Sequence, residues 1–153
     1  MFTQALVVLS IAAVTAWGAD NSLGVWKVNI AKSKYTPAPM PLKSYTAVRE
    51  AAPGGVKVTL TGERTDGTAI KASYTAKYDG TPAVIAGVGT PYDTMAIKQV
   101  DANTFTYESQ QTSGKYRSSG RMVVSKDGKT MTATAKGTDA DGKAMTLILI
   151  YEK

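Results

Sequence analysis

From residue 56 to the C-terminus the chain alternates. Val56, Val58 and Leu60 are separated by Lys57 and Thr59, and Ile70, Ala72, Tyr74, Ala76 and Tyr78 by Lys71, Ser73, Thr75 and Lys77. Phe105 and Tyr107 stand between Thr104, Thr106 and Glu108, and Met131, Ala133 and Ala135 alternate with Thr130, Thr132, Thr134 and Lys136. A period of two puts successive side chains on opposite faces of a pleated strand, so these runs predict half-buried β-strands. Short turn-forming stretches separate them: PGG at 53–55, TDGT at 65–68, YDGTP at 78–82, DANT at 101–104, TSGK at 112–115, KDGK at 126–129 and DADGK at 139–143. Glycine in these turns supplies the positive φ that a tight hairpin requires. Strands linked by such turns at this spacing predict an all-β domain, and neighbours joined by tight turns make an antiparallel up-and-down meander of about 8–10 strands the simplest topology.

Two stretches break the pattern. Residues 31–43, AKSKYTPAPMPLK, carry prolines at alternate positions, which excludes a helix interior and predicts an extended connector. Residues 80–93, GTPAVIAGVGTPYD, predict a short strand between loops. An open meander would leave two long unpaired edges, whereas a closed barrel has none. Closure requires the strand near Gly24–Asn29 to pair with the one near Ala144–Glu152. The latter, AMTLILIYE, is the most apolar stretch after the leader and a poor choice for an exposed edge.

The N-terminus changes the picture of location. Residues 1–19, MFTQALVVLSIAAVTAWGA, are uncharged and apolar with small residues at the end, the pattern of a secretory signal peptide. Cleavage after Gly18 would put small residues at both recognition positions. The expectation is therefore a leader at 1–19, a single domain at 20–153, and a secreted or periplasmic protein with no stable membrane insertion once the leader is removed.

Composition narrows the chemistry. The 153 residues include no cysteine and no histidine, which removes the Cys nucleophile, the Ser-His-Asp triad and His/Cys metal sites. DADG at 139–142 resembles part of a calcium loop, but the remaining ligand spacing and terminal Glu are missing, so a hairpin turn is expected. The formal net charge of +6 comes from lysines and arginines spread along alternating strands. They form no clustered basic stripe with aromatic platforms, so no nucleic-acid partner is expected. Neither a catalytic residue set, a metal site nor a cofactor is indicated, and the expectation is a monomer that is not an enzyme.

A resemblance enters when the two ends are read together. GVWK at 24–27 resembles the Gly-x-Trp of the first strand in the calycin superfamily, the lipocalins and fatty-acid-binding proteins. LIYEK at 149–153 looks like the last strand of the fatty-acid-binding branch. The chain is similar to small exported lipocalin-like bacterial proteins of unassigned function. The resemblance implies a calycin-like barrel with a ligand lumen. In the fatty-acid-binding branch an Arg two residues before the matching Tyr holds the ligand carboxylate. Tyr151 matches that Tyr, but Leu149 occupies the Arg position, and Arg117 or Arg121 could substitute only by pointing inward.

Trp26 is expected to plug one end of the barrel. Tyr74, Tyr78, Phe105, Tyr107, Tyr116, Leu149 and Tyr151 are the candidate ligand-binding residues. Small residues at Ala72, Ala76, Ser118, Gly120, Ala133 and Ala135 leave two interiors open: a tyrosine-lined cavity or a collapsed core. The first predicts a barrel binding a small, mainly apolar ligand. The second predicts a ligand-free structural or interaction module of the cell envelope.

Overall fold

The computed structural model describes residues 18–153, so most of the expected leader lies outside the described residues. Twelve strands follow in chain order: β1 Gly24–Val28, β2 Lys34–Thr36, β3 Leu42–Ala52, β4 Gly55–Arg64, β5 Ala69–Lys77, β6 Ala83–Val84, β7 Ala86–Val88, β8 Thr94–Gln99, β9 Thr104–Gln110, β10 Arg117–Val124, β11 Thr130–Thr138 and β12 Ala144–Glu152. All pair antiparallel in one sheet, ordered β6-β8-β9-β10-β11-β12-β1-β3-β4-β5-β7. The sheet curls into a nearly closed barrel. Among the described residues the helical content is a single 3-10 turn at Ile30–Lys32, capped by Asn29.

The ends of the chain meet as the pattern predicted. Lys27 pairs with Glu152 and Val28 with Tyr151. The proline-rich connector is more structured than a simple spacer. Its first part, β2, pairs with β12 at Leu147↔Tyr35, on the same edge that β1 occupies further along. The 80–93 stretch holds two short strands, and together they close the seam between β5 and β8. At one end Tyr78 and Gly80, just past β5, exchange backbone hydrogen bonds with Ile97 and Gln99 of β8. Toward the other end the sheets splay, and the 83–88 segment fills the gap, pairing first with β8 through Ala83↔Met95 and then with β5 through Ala72↔Gly87.

Inward side chains follow the predicted alternation. Trp26, Val56, Val58, Leu60, Ile70, Tyr74, Ile97, Phe105 and Met131 are all buried in one core. The small residues have a definite use. Tyr107 lies opposite Gly120 on β10, which lies opposite Ala135 on β11, and the Tyr107 hydroxyl reaches across to within 3.4 Å of the Thr134 carbonyl. Small positions on one strand make room for the rings of the next, so the tyrosines themselves occupy much of the interior.

Candidate functional site

The two ends of the barrel differ. One is sealed by residues 19–23, which run across it from outside the sheet. The Asn21 amide donates to the Ala102 carbonyl at 2.9 Å, and the Gln99 side chain donates to the Ala19 carbonyl at 3.2 Å. Behind this strap lies a compact polar ring. The Trp26 indole donates to the Ser22 carbonyl at 2.8 Å, and Arg49 Nε donates to Ser22 Oγ at 3.1 Å. Arg49 Nη2 lies 3.5 Å from the Tyr78 hydroxyl. Both hydroxyls then donate to Asp20, that of Ser22 at 2.6 Å, with the Tyr78 phenol donating to the other carboxylate oxygen. The buried guanidinium is thereby linked to a carboxylate through two hydroxyls, and it also sits 5.6 Å over the Phe105 ring. A buried cation is costly unless such compensation exists. Burial, opposed by Arg49, pushes the Tyr78 phenol up to about 12.

The opposite end is open. A vestibule of about 280 Å³ is framed by Tyr35, Leu42, Arg64, Ile70, Pro91 and Ala140, drawn from the strand ends and connecting loops at that rim. Deeper inside lies a smaller cavity of about 80 Å³, walled by tyrosines at 45, 74, 92, 107, 116 and 151 together with Val58, Met122 and Met131. Tyr45, Tyr92, Tyr116, Leu147 and Leu149 line both spaces. The Tyr45 and Tyr92 hydroxyls are 3.4 Å apart, and the Tyr92 and Tyr116 rings are 5.7 Å centre to centre. These rings form the floor of the vestibule and the roof of the inner cavity.

The interior is mainly phenolic, with the Arg49 guanidinium also in the wall of the inner cavity. Burial pushes the phenols of Tyr45, Tyr92, Tyr107 and Tyr151 upward, and neighbouring phenols add to the effect. Burial raises Tyr116 too, while hydrogen bonds from Ser118 and Ser109 oppose it. All of these groups are neutral hydroxyls at physiological pH. The walls thus offer apolar rings with hydroxyl tips, a lining that holds an apolar body and fixes its polar end. Among the described residues no three Asp, Glu, His or Cys side chains gather closely enough to hold a metal ion.

Five of the seven ligand-binding candidates line the inner cavity: Tyr74, Tyr107, Tyr116, Leu149 and Tyr151. Tyr78 and Phe105 lie at the sealed end, with ring centres 5.2 Å apart against Arg49. Arg117 and Arg121 are exposed on the outer face, and the inward arginine is Arg49. Tyr45, Arg49, Tyr92 and Ser109 are further lining residues that the pattern reading did not single out, and Ser118, expected as a small interior residue, lines the inner cavity as well. Alternation in LKSYTAVREA places Tyr45 and Ala47 on the inward face, which was the available signal for Tyr45.

A larger depression of about 690 Å³ lies on the outer surface, where Lys98, Glu108, Arg121 and Lys136 line a trough across β8–β12. Its lining comes mainly from the outward rows of these strands, with Tyr107, Gly120, Ala135 and Leu147 of the inward rows beside them. The space at the barrel mouth is the better candidate for a ligand, because strand ends, connecting loops and the tyrosine floor wall it on several sides. Comparison with protein-family models and with curated protein sequences finds no match.

Proposed function

We propose that this protein is an exported, lipocalin-like binding barrel that takes a small, mainly apolar molecule at its open end. The observation that carries the reading is the vestibule of about 280 Å³ above a floor of tyrosines. Its volume sits just below the range of roughly 300–1,000 Å³ usual for small-molecule sites. Leu42, Ile70, Leu147 and Leu149 supply apolar contact, while Arg64 and the tyrosine hydroxyls supply orientation. Binding would proceed by burial of ligand surface, without bond making or breaking, so the reading is of a carrier or sensor rather than an enzyme. The apolar leader supports export, and the calycin-like closure of first on last strand supports the kinship.

One observation favours a second reading. The barrel centre holds only about 80 Å³ of free space, the interior of a well-filled core. A ligand-free envelope module would look the same there.

Titration with the compact apolar dye anilinonaphthalene sulfonate separates the two. The binding reading predicts saturable, single-site fluorescence enhancement that a Leu42→Trp variant weakens by about tenfold or more, because the added ring crowds the mouth. A natively folded protein with no saturable dye binding would leave the second reading in its place.

A further inference from the structure

The inner cavity carries one positive charge in its wall and no negative one. Arg49 is 3% exposed, and Tyr74 and Tyr151 are 7% each, so all three are more than nine-tenths buried. All three line this cavity, whose walls include no aspartate or glutamate. Strand register explains the grouping. Arg49 on β3 stands opposite Val58 on β4, which stands opposite Tyr74 on β5, so the three form one inward row. Tyr151 reaches the same space from β12.

The donors of these residues outnumber the acceptors the protein gives them. Arg49 Nε donates to Ser22 Oγ at 3.1 Å, and Nη2 makes only a long approach of 3.5 Å to the Tyr78 hydroxyl. Arg49 Nη1 has no protein acceptor among the described residues, and neither ion pair there, Lys32–Glu152 or Lys43–Glu63, involves Arg49. Asp20 meets the guanidinium only at second hand, through the Ser22 and Tyr78 hydroxyls. The Tyr74 and Tyr151 hydroxyls also lack a hydrogen-bond partner among the described residues. None of these atoms is sealed away from water-sized space. They open onto the cavity that all three residues line. The three groups also act on one another: the Arg49 charge opposes the upward push of burial on both phenols.

We propose that the inner cavity is a binding site for one small monovalent anion, held between the Arg49 guanidinium and the Tyr74 and Tyr151 hydroxyls. The inference stands apart from the vestibule reading, since it concerns a different space and a different ligand. The volume of about 80 Å³ exceeds the roughly 10–15 Å³ that a single water needs, so an ion of chloride size has room. One buried cation balances one negative charge, and a second would be buried without a partner, which selects monovalent ions. Neutral phenols donate to an anion without giving up a proton, and hydrogen bonds to a charged group are stronger than those between neutral ones.

The test is a heteronuclear NMR titration of the mature protein with sodium chloride, with sodium sulfate at matched ionic strength as the control for charge screening. Chloride is expected to shift the Arg49 Nε–Hε signal and the Val58 and Tyr74 amides saturably, and sulfate is not. Tyr74→Phe and Tyr151→Phe keep the rings in place while each removes one donor, and each should weaken chloride binding by about tenfold. Arg49→Met should abolish saturation. If that variant does not fold, the two phenylalanine variants and the wild-type Arg49 signal decide the matter. A folded wild type without saturable shifts would mean that the cavity takes water only and would overturn the proposal. Equal shifts in the two salts, or chloride affinity unchanged in both phenylalanine variants, would overturn it as well.

Discussion

Trp26 has the most demanding environment of any single residue. Its ring is fully buried, Lys153 Nζ lies 4.9 Å above it, and its indole N–H holds the Ser22 carbonyl. Through Ser22 it connects the strap at the sealed end to Arg49 and Asp20. Trp26→Ala is expected to lower stability by about 3–5 kcal/mol in chemical denaturation, the usual cost of emptying a large core site. Trp26→Phe keeps most of the ring volume but leaves the Ser22 carbonyl without its donor. It should cost about 1–3 kcal/mol. A Trp26→Phe variant as stable as the wild type would mean that the indole bond contributes nothing and that the strap is held elsewhere. The tryptophan's role was legible, because a Gly-x-Trp in a first strand reads as an end plug. Arg49 was not. A charged residue inside an alternating run is assigned to solvent by default, and nothing local in AVREA announces that a carboxylate and two hydroxyls from distant segments will receive it.

At the scale of elements, hairpin chemistry was the clearest signal and the structure adds a second cause to it. In the 65–68 turn the Asp66 carboxylate accepts from the Thr68 amide at 2.9 Å, and in the 126–129 turn Asp127 accepts from the Lys129 amide at 3.0 Å. Hydrogen bonds from the Thr68 and Ser125 hydroxyls, with these amide bonds behind them, hold both carboxyls below the usual carboxylate range. Aspartate closes the turn while glycine supplies the backbone angle. Gly128 has φ +72° and open space where a side chain would go, so its conformation alone decides the residue. Gly128→Ala should destabilise by about 1–2 kcal/mol. A melting temperature unchanged by Gly128→Ala would contradict the positive-φ requirement. Long alternating strands were readable because a one-face burial imposes period two. The pieces at 34–36, 83–84 and 86–88 were harder, since two or three residues carry no period and their pairing partners are remote in sequence. Their placement depends on where the barrel seam falls.

For the whole molecule, the interior of neutral phenols predicts how stability responds to alkali. An unfolded tyrosine ionises at about pH 10. Burial raises Tyr78 to about 12 and pushes Tyr45, Tyr92, Tyr107 and Tyr151 upward as well. Above about pH 10 the unfolded chain therefore loses protons that the folded barrel retains, and the equilibrium shifts toward unfolding. Stability that is fully present below pH 10 should fall steadily as pH climbs through 12, read as a declining urea midpoint. Phenolate absorbance should appear together with unfolding rather than before it. Phenolate formation at pH 10 in a fully folded protein would show that the rings are solvated. The closed antiparallel meander was legible at this scale because an apolar last strand needs a partner. The division of the interior was not, because side-chain packing among six tyrosines decides it and the strand pattern leaves both a filled and an empty centre open.

The central claim is that the open end of the barrel is a small-molecule site. Its most direct test is a heteronuclear NMR titration of the mature protein with anilinonaphthalene sulfonate. The account predicts saturable shifts concentrated at Leu42, Ile70, Tyr92, Leu147 and Leu149, with the sealed end around Trp26 and Arg49 unmoved. Shifts confined to the outer trough at Lys98, Arg121 and Lys136, or a folded spectrum that does not respond, would contradict it.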